Sequence, residues 1–168
     1  MQNVDRIFPI FSYRLWNENL LCRWKLEGER SLSLFFASKV KERLKDLRKE
    51  VGDYALVPVP PRKGKIRKEG WDQIDELSKI LKFLYDEAVL ELLERNSFVQ
   101  QKTLSREQRL ETIENAYSLR KKINFPLPER VIILDDVMTT GATLEGIAKI
   151  LKKNGVKEVY GLTIFTVD

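Results

Sequence analysis

Histidine is absent from these 168 residues, and cysteine occurs once, at Cys22. Without imidazole there is no Ser-His-Asp or Cys-His catalytic set and no imidazole-ligated metal. A single thiol forms neither an internal disulfide nor a four-cysteine zinc module, so no zinc is expected. Long apolar runs are also missing. The longest, such as residues 34–37 and 131–134, fall far short of the ~18 residues that suggest a membrane-spanning helix. The opening MQNVDRIFPIF lacks the basic-then-apolar pattern of a secretory signal, so the expectation is a cytoplasmic protein with no membrane partner. Neither sign of charge dominates: 30 Lys+Arg face 25 Asp+Glu, a net +5 that permits a polyanionic partner without requiring nucleic acid. The chemistry left open belongs to carboxylates, hydroxyls, backbone amides, lysine and arginine.

What is present is enough for a folded core. The chain is 43% hydrophobic, and at about 100–200 residues per domain its length predicts one domain over residues 1–168. Residues 6–16 alternate apolar and polar, which predicts a strand interrupted by Pro9. Leu34, Phe35, Ala37, Val40, Leu44 and Leu47 recur at helical spacing over residues 33–47. A short apolar run at 54–59 reads as a strand closed by Pro60 and Pro61. Residues 62–70 form a basic loop, and 71–84 an amphipathic helix. Residues 96–108 read as a long exposed loop, with a short helix to about 115 capped by Ser105 and a short strand at 116–119. The continuous apolar run 131–134 predicts a central strand buried on both faces. A helix over 141–154 ends at Asn154-Gly155, and a last strand covers 159–167. Strands alternating with helices of this length indicate an α/β fold with a parallel sheet.

The segment with the most chemical content is VIILDDVMTTGAT, residues 131–143. An apolar strand leads into Asp135 and Asp136, and Thr139, Thr140, Gly141, Ala142 and Thr143 then open a helix. Ligands of parallel sheets bind outside the carboxyl ends of strands, where this segment falls. Free N–H groups at the helix start can hold a phosphate, and Gly141 lets the backbone come close. The aspartates can accept hydrogen bonds from hydroxyls or share in binding Mg2+. A phosphate cradle beside paired carboxylates suits a ligand such as ribose 5-phosphate. An ordinary capped strand-to-helix connection would use some of the same residues, but two adjacent buried carboxylates are costly for packing alone. Rival motifs fail on spacing. Gly64-Lys65 has no glycine five residues before it, residue 137 is Val where an aspartyl-phosphate motif needs a second Asp, and no two glycines lie two apart.

These residues resemble the type I phosphoribosyltransferases, and the wider chain resembles one branch, the ComF (competence protein F) family. The shared features are VPVPPRKGKIRKEGWDQ at 57–73, then Arg95, Gln101, Leu104 and Arg109, Ala116-Tyr117, and the 131–143 signature. The resemblance implies a central parallel sheet flanked by helices, a small N-terminal hood over residues 1–30 and a flexible lid at 96–109. It implies a protein that displaces pyrophosphate from phosphoribosyl pyrophosphate (PRPP) carried with Mg2+, and a link to DNA uptake. A non-catalytic PRPP sensor or adaptor that binds single-stranded DNA or a competence helicase is the alternative, and a homodimer is compatible with either.

By this resemblance Asp135 and Asp136 hold the ribose hydroxyls and act as the catalytic pair, touching Mg2+ only through the ligand. Residues 139–143 take the 5-phosphate. Pro61, Arg62, Lys63 and Lys65 form the pyrophosphate loop, and Gln101, Arg106 and Arg109 belong to the lid. Arg67 and Lys68 add to the positive charge after the strand, where a pyrophosphate group needs neutralising. The same cluster would also serve as a solvated loop or a nucleic-acid patch. Candidate bases are Asp135, Asp136 and Glu69. Tyr13, Trp16, Trp24 and Lys25 either contact the acceptor from the hood or, for the aromatics, fill core. The chain departs from the family in having Glu69-Gly70-Trp71-Asp72-Gln73 where Arg-Gly-aromatic-Asn-Gln is usual, and Thr112 where Asn is usual. Thr139 stands where 6-oxopurine salvage enzymes carry an aspartate, which argues against that substrate class.

Overall fold

A computed structural model describes residues 1–12, 16–96 and 116–167. Its main sheet has four parallel strands in the order β1-β6-β5-β2. They are β1 (Arg6–Ser12), β2 (Ala55–Pro58), β5 (Arg130–Met138) and β6 (Glu158–Thr166). The short β3 (Leu93–Arg95) and β4 (Tyr117–Leu119) form a separate antiparallel pair. Helices α1 (Trp16–Lys25), α2 (Ser31–Val51), α3 (Lys65–Glu69), α4 (Gln73–Leu84) and α5 (Ala142–Lys153) complete the described elements. None of these helices is long and apolar enough to cross a membrane.

The two faces of the sheet bury different clusters. Ile132 and Leu134 of β5 pack with Phe36, Val40 and Leu44 of α2 and with Leu77 and Leu81 of α4. Their neighbours Val131 and Ile133 pack with Ile147 and Leu151 of α5. That alternation is the period-2 geometry of a strand covered on both sides. Trp24 of α1 is fully buried in the first cluster, and its indole N–H donates to Ser33 Oγ at 2.9 Å. It is therefore core and not a hood contact. Tyr13 and the side chain of Trp16 lie outside the described residues.

Four expectations need correction. Pro9 does not interrupt β1: it sits inside the strand opposite Thr163, at a sheet edge, where a missing N–H leaves no ladder bond unmade. The strand stops at Ser12, and residue 16 already begins a helix. The basic stretch is not all loop, because residues 65–69 form α3 between two left-handed glycines, Gly64 and Gly70. The strand at 131–134 continues to Met138, so the acid pair lies within β5 and not after it. The predicted lid and the helix to residue 115 lie outside the described residues.

Candidate functional site

A cleft of about 460 Å³ opens at the carboxyl end of the sheet. Its floor is Asp135, Asp136 and Val137 of β5. Val59 N–H bonds to the Leu134 carbonyl at 2.9 Å, so the chain leaves the sheet beside the acid pair. Pro60 and Pro61 then offer no N–H to extend the ladder, and the turn carries Arg62 and Lys65 back over the cleft. Thr143 of α5, Arg95 of β3 and Tyr117 of β4 line the opposite side. Lys25 and Leu26 come from the end of α1, and Asp72 and Gln73 from the start of α4.

The two aspartates have different neighbours. Asp136 is buried, with its Oδ1 accepting the Val137 N–H at 2.7 Å. Its Oδ2 accepts from Lys25 Nζ and from Gln73 Nε2, each at 2.6 Å. Burial alone would raise its pKa, but Lys25 and Gln73 outweigh that and hold the carboxyl below the usual aspartate range. Asp135 accepts the Asp136 N–H at 2.9 Å and forms no ion pair among the described residues. Burial, reinforced by the charge of Asp136, pushes its carboxyl up to about 8. One carboxylate is thus held by the protein's own donors, and the other faces the cleft with little support for a charge.

The basic side of the cleft is likewise divided. Lys65 Nζ donates to Asp72 Oδ2 at 2.7 Å and to Gln73 Oε1 at 2.5 Å. Asp72 also caps α4, its Oδ1 accepting from Ile74 and Asp75 N–H at 3.0 and 3.1 Å. Arg62 carries no ion pair among the described residues and lines the cleft. Arg95 lies over the Tyr117 ring at 5.3 Å. Lys63, Arg67 and Lys68 are exposed and do not line the cleft. Burial raises the Tyr117 hydroxyl pKa, with the charge of Asp135 adding to the rise.

Of the phosphate turn, Thr143 reaches the cleft, Thr139 and Thr140 are exposed, and Gly141 and Ala142 start α5. Gly141 has φ 73°, a left-handed conformation that side-chain-bearing residues rarely adopt and that favours glycine. Gln101, Arg106 and Arg109 lie outside the described residues. Nothing in the residue pattern assigns Leu26 to the cleft or a partner to Lys25, Asp72 or Gln73. The WDQ that follows Gly70 marks Asp72 and Gln73 as part of a motif without showing what they touch. For Mg2+ the donors suit a hard cation, yet no group of three His, Cys, Asp or Glu is assembled for a metal among the described residues. The fit is to an ion shared with a bound ligand's own oxygens, with Asp135 as the available protein oxygen.

A family model described as phosphoribosyl transferase domain matches residues 71–166, which hold the acid pair, the phosphate turn and Gln73. The chain belongs to the phosphoribosyltransferase family. Within it, the ComF resemblance is supported by two curated competence proteins. Competence protein ComFC of Streptococcus pneumoniae is 29% identical over 150 residues, which cover 89% of this chain and 63% of that protein. Competence protein F of Haemophilus influenzae is 37% identical over 113 residues, covering 62% of this chain and 47% of that protein. The chain spans less than two thirds of the length of either relative. A solved hypoxanthine phosphoribosyltransferase from Staphylococcus aureus is similar at TM-score 0.46 and 20% identity, over 80% of this chain and 64% of that one.

Proposed function

We propose that the cleft binds PRPP with Mg2+ and that the chain transfers the phosphoribosyl group to an acceptor, releasing pyrophosphate. The observation that carries this reading is the juxtaposition of the α5 start, a pair of carboxylates and a basic turn around one cleft. The N–H groups at the start of α5 would take the 5-phosphate. Asp135 and, on release from Lys25 and Gln73, Asp136 would accept from the ribose hydroxyls, and Arg62 with Lys65 would face the pyrophosphate. In the reaction the bond from the anomeric carbon to the pyrophosphate oxygen breaks, the leaving group keeps the electron pair, and the acceptor bonds to that carbon. Mg2+ brought in with PRPP would supply charge neutralisation of the leaving group. Lys25 and Leu26 stand where an acceptor would approach from the hood.

Titration calorimetry with Mg2+-PRPP tests the site. Wild type is expected to bind, and the double variant Asp135→Asn, Asp136→Asn to lose most of that affinity. No binding by wild type, or equal binding by both, overturns the reading. A second reading is a PRPP-responsive adaptor in DNA uptake, favoured by the exposed cations Lys63, Arg67 and Lys68 that stand outside the cleft. It predicts no pyrophosphate release with any acceptor and a single-stranded DNA affinity that falls steeply with salt.

A further inference from the structure

Five side chains from four separate elements and the cap of one of them join across the cleft in one unbroken series. Lys25 of α1 bonds Asp136 of β5, Asp136 bonds Gln73, Gln73 bonds Lys65, and Lys65 bonds Asp72 ahead of α4. Gln73 is the middle of this series and is 5% exposed. An ammonium only donates and a carboxylate only accepts, so the amide has one workable orientation: Oε1 toward Lys65 and Nε2 toward Asp136. Glutamate here would repel Asp136, and lysine would repel Lys65. A neutral group with a donor at one end and an acceptor at the other is what the junction requires.

Both lysines that reach the cleft floor are therefore neutralised by the cleft's own carboxylates. A polyanion that recruits Lys65 must draw it from Asp72 and Gln73. A diol or cation that recruits Asp136 must displace Gln73 and Lys25. We infer that Gln73 is a positioning residue that couples the pyrophosphate turn to the ribose-side carboxylate, so the two halves of the ligand bind cooperatively. This rests on the PRPP reading above. Each half-ligand has to break part of the same network, and whichever binds first meets most of that cost. The second then finds its partner already released, and the effect is reciprocal.

Calorimetry on the full chain with two half-ligands tests this, using ribose 5-phosphate and inorganic pyrophosphate, both in Mg2+. The measured quantity is the ratio of ribose 5-phosphate Kd without pyrophosphate to that with saturating pyrophosphate. Wild type should give a ratio at least about fivefold larger than Gln73→Met, in the range of ordinary coupling between sites. Lys65→Met should lower the ratio similarly from the other end of the series. Gln73→Glu retains an acceptor for Lys65 and loses the donor to Asp136, so it too should show a lowered ratio and serves if the Met variant is unstable. Equal ratios in wild type and a folded Gln73 variant overturn the coupling but leave the PRPP reading standing. Failure of wild type to bind either half-ligand overturns both.

Discussion

Two buried carboxylates in this protein carry similar surroundings in different places. Glu87 accepts from Lys41 at 2.7 Å and from Arg48 at 2.8 Å, one on each oxygen, and its side chain is 1% exposed. Asp136 accepts from Lys25 and Gln73, both on one oxygen, and its side chain is 10% exposed. The cations on Glu87 both belong to α2, two turns apart, so a single rigid helix brackets the carboxylate. The donors on Asp136 come from two separate helices, α1 and α4, beside the cleft. A buried charge satisfied by one element fastens the fold. The same charge satisfied by two elements beside a cavity can exchange its partners for a ligand, because neither donor is obliged to stay.

The largest expected effect separates these roles. Glu87→Gln removes two charge-assisted hydrogen bonds while leaving two partly exposed cations that can hydrate, so the expected loss is about 2 kcal/mol of stability. For a chain of this size that is about 4–8 °C in melting temperature, with Mg2+-PRPP affinity unchanged. An affinity loss matching that of Asp136→Asn would abolish the distinction between the two carboxylates.

A smaller effect concerns Asp135, which forms no ion pair among the described residues and whose burial outweighs the nearby charge of Lys25. Its carboxyl lies at about 8 in the folded protein, and in the unfolded chain an aspartate titrates near ~4. Between these values the folded state keeps a proton that the unfolded state has lost, so stability falls as pH rises through the window. The contribution is complete below the lower value and gone above the upper one. Between about pH 6 and about pH 7, one unit inside this window, the melting temperature should fall by a few degrees more in wild type than in Asp135→Asn, which has no proton to lose. Parallel profiles would show that Asp135 is as well supported as Asp136.

Much of this arrangement is legible in the residues, and its limits have physical reasons. The run at 131–134 announces a doubly covered strand, and the Thr-Gly turn announces the start of α5. The continuation of β5 through Asp135 and Asp136 is not legible, because acids look like an end to a buried strand until a cleft is there to receive them. Pro9 looks like a break until β1 is known to be an edge. Leu93–Arg95 holds two charges in three residues and has no periodicity to betray a strand. Lys25 reaches Asp136 across 111 positions, and nothing local to α1 signals that partner. Gln73 is a middle case: its place after Gly70-Trp71-Asp72 marks it as part of a motif, but only the fold shows what its two ends touch.

The smallest effect is the sharpest, because it uses the family's own residue. Asp72 does two things with two oxygens: Oδ1 caps α4 and Oδ2 holds Lys65. Asparagine, usual at this position in the family, caps a helix about as well as aspartate but carries no charge to retain the lysine. Asp72→Asn should therefore leave the melting temperature nearly unchanged. It should tighten inorganic pyrophosphate binding by about two- to fivefold, the range of a partly exposed ion pair. Asp72→Ala should release Lys65 as well, but at a loss of about 1 kcal/mol from the missing cap. If Asp72→Asn leaves pyrophosphate affinity unchanged while Asp72→Ala still loses stability, Asp72 is only a cap. The hold on Lys65 would then rest with Gln73 alone, and the difference between a fastened and an exchangeable charge would narrow to a single amide.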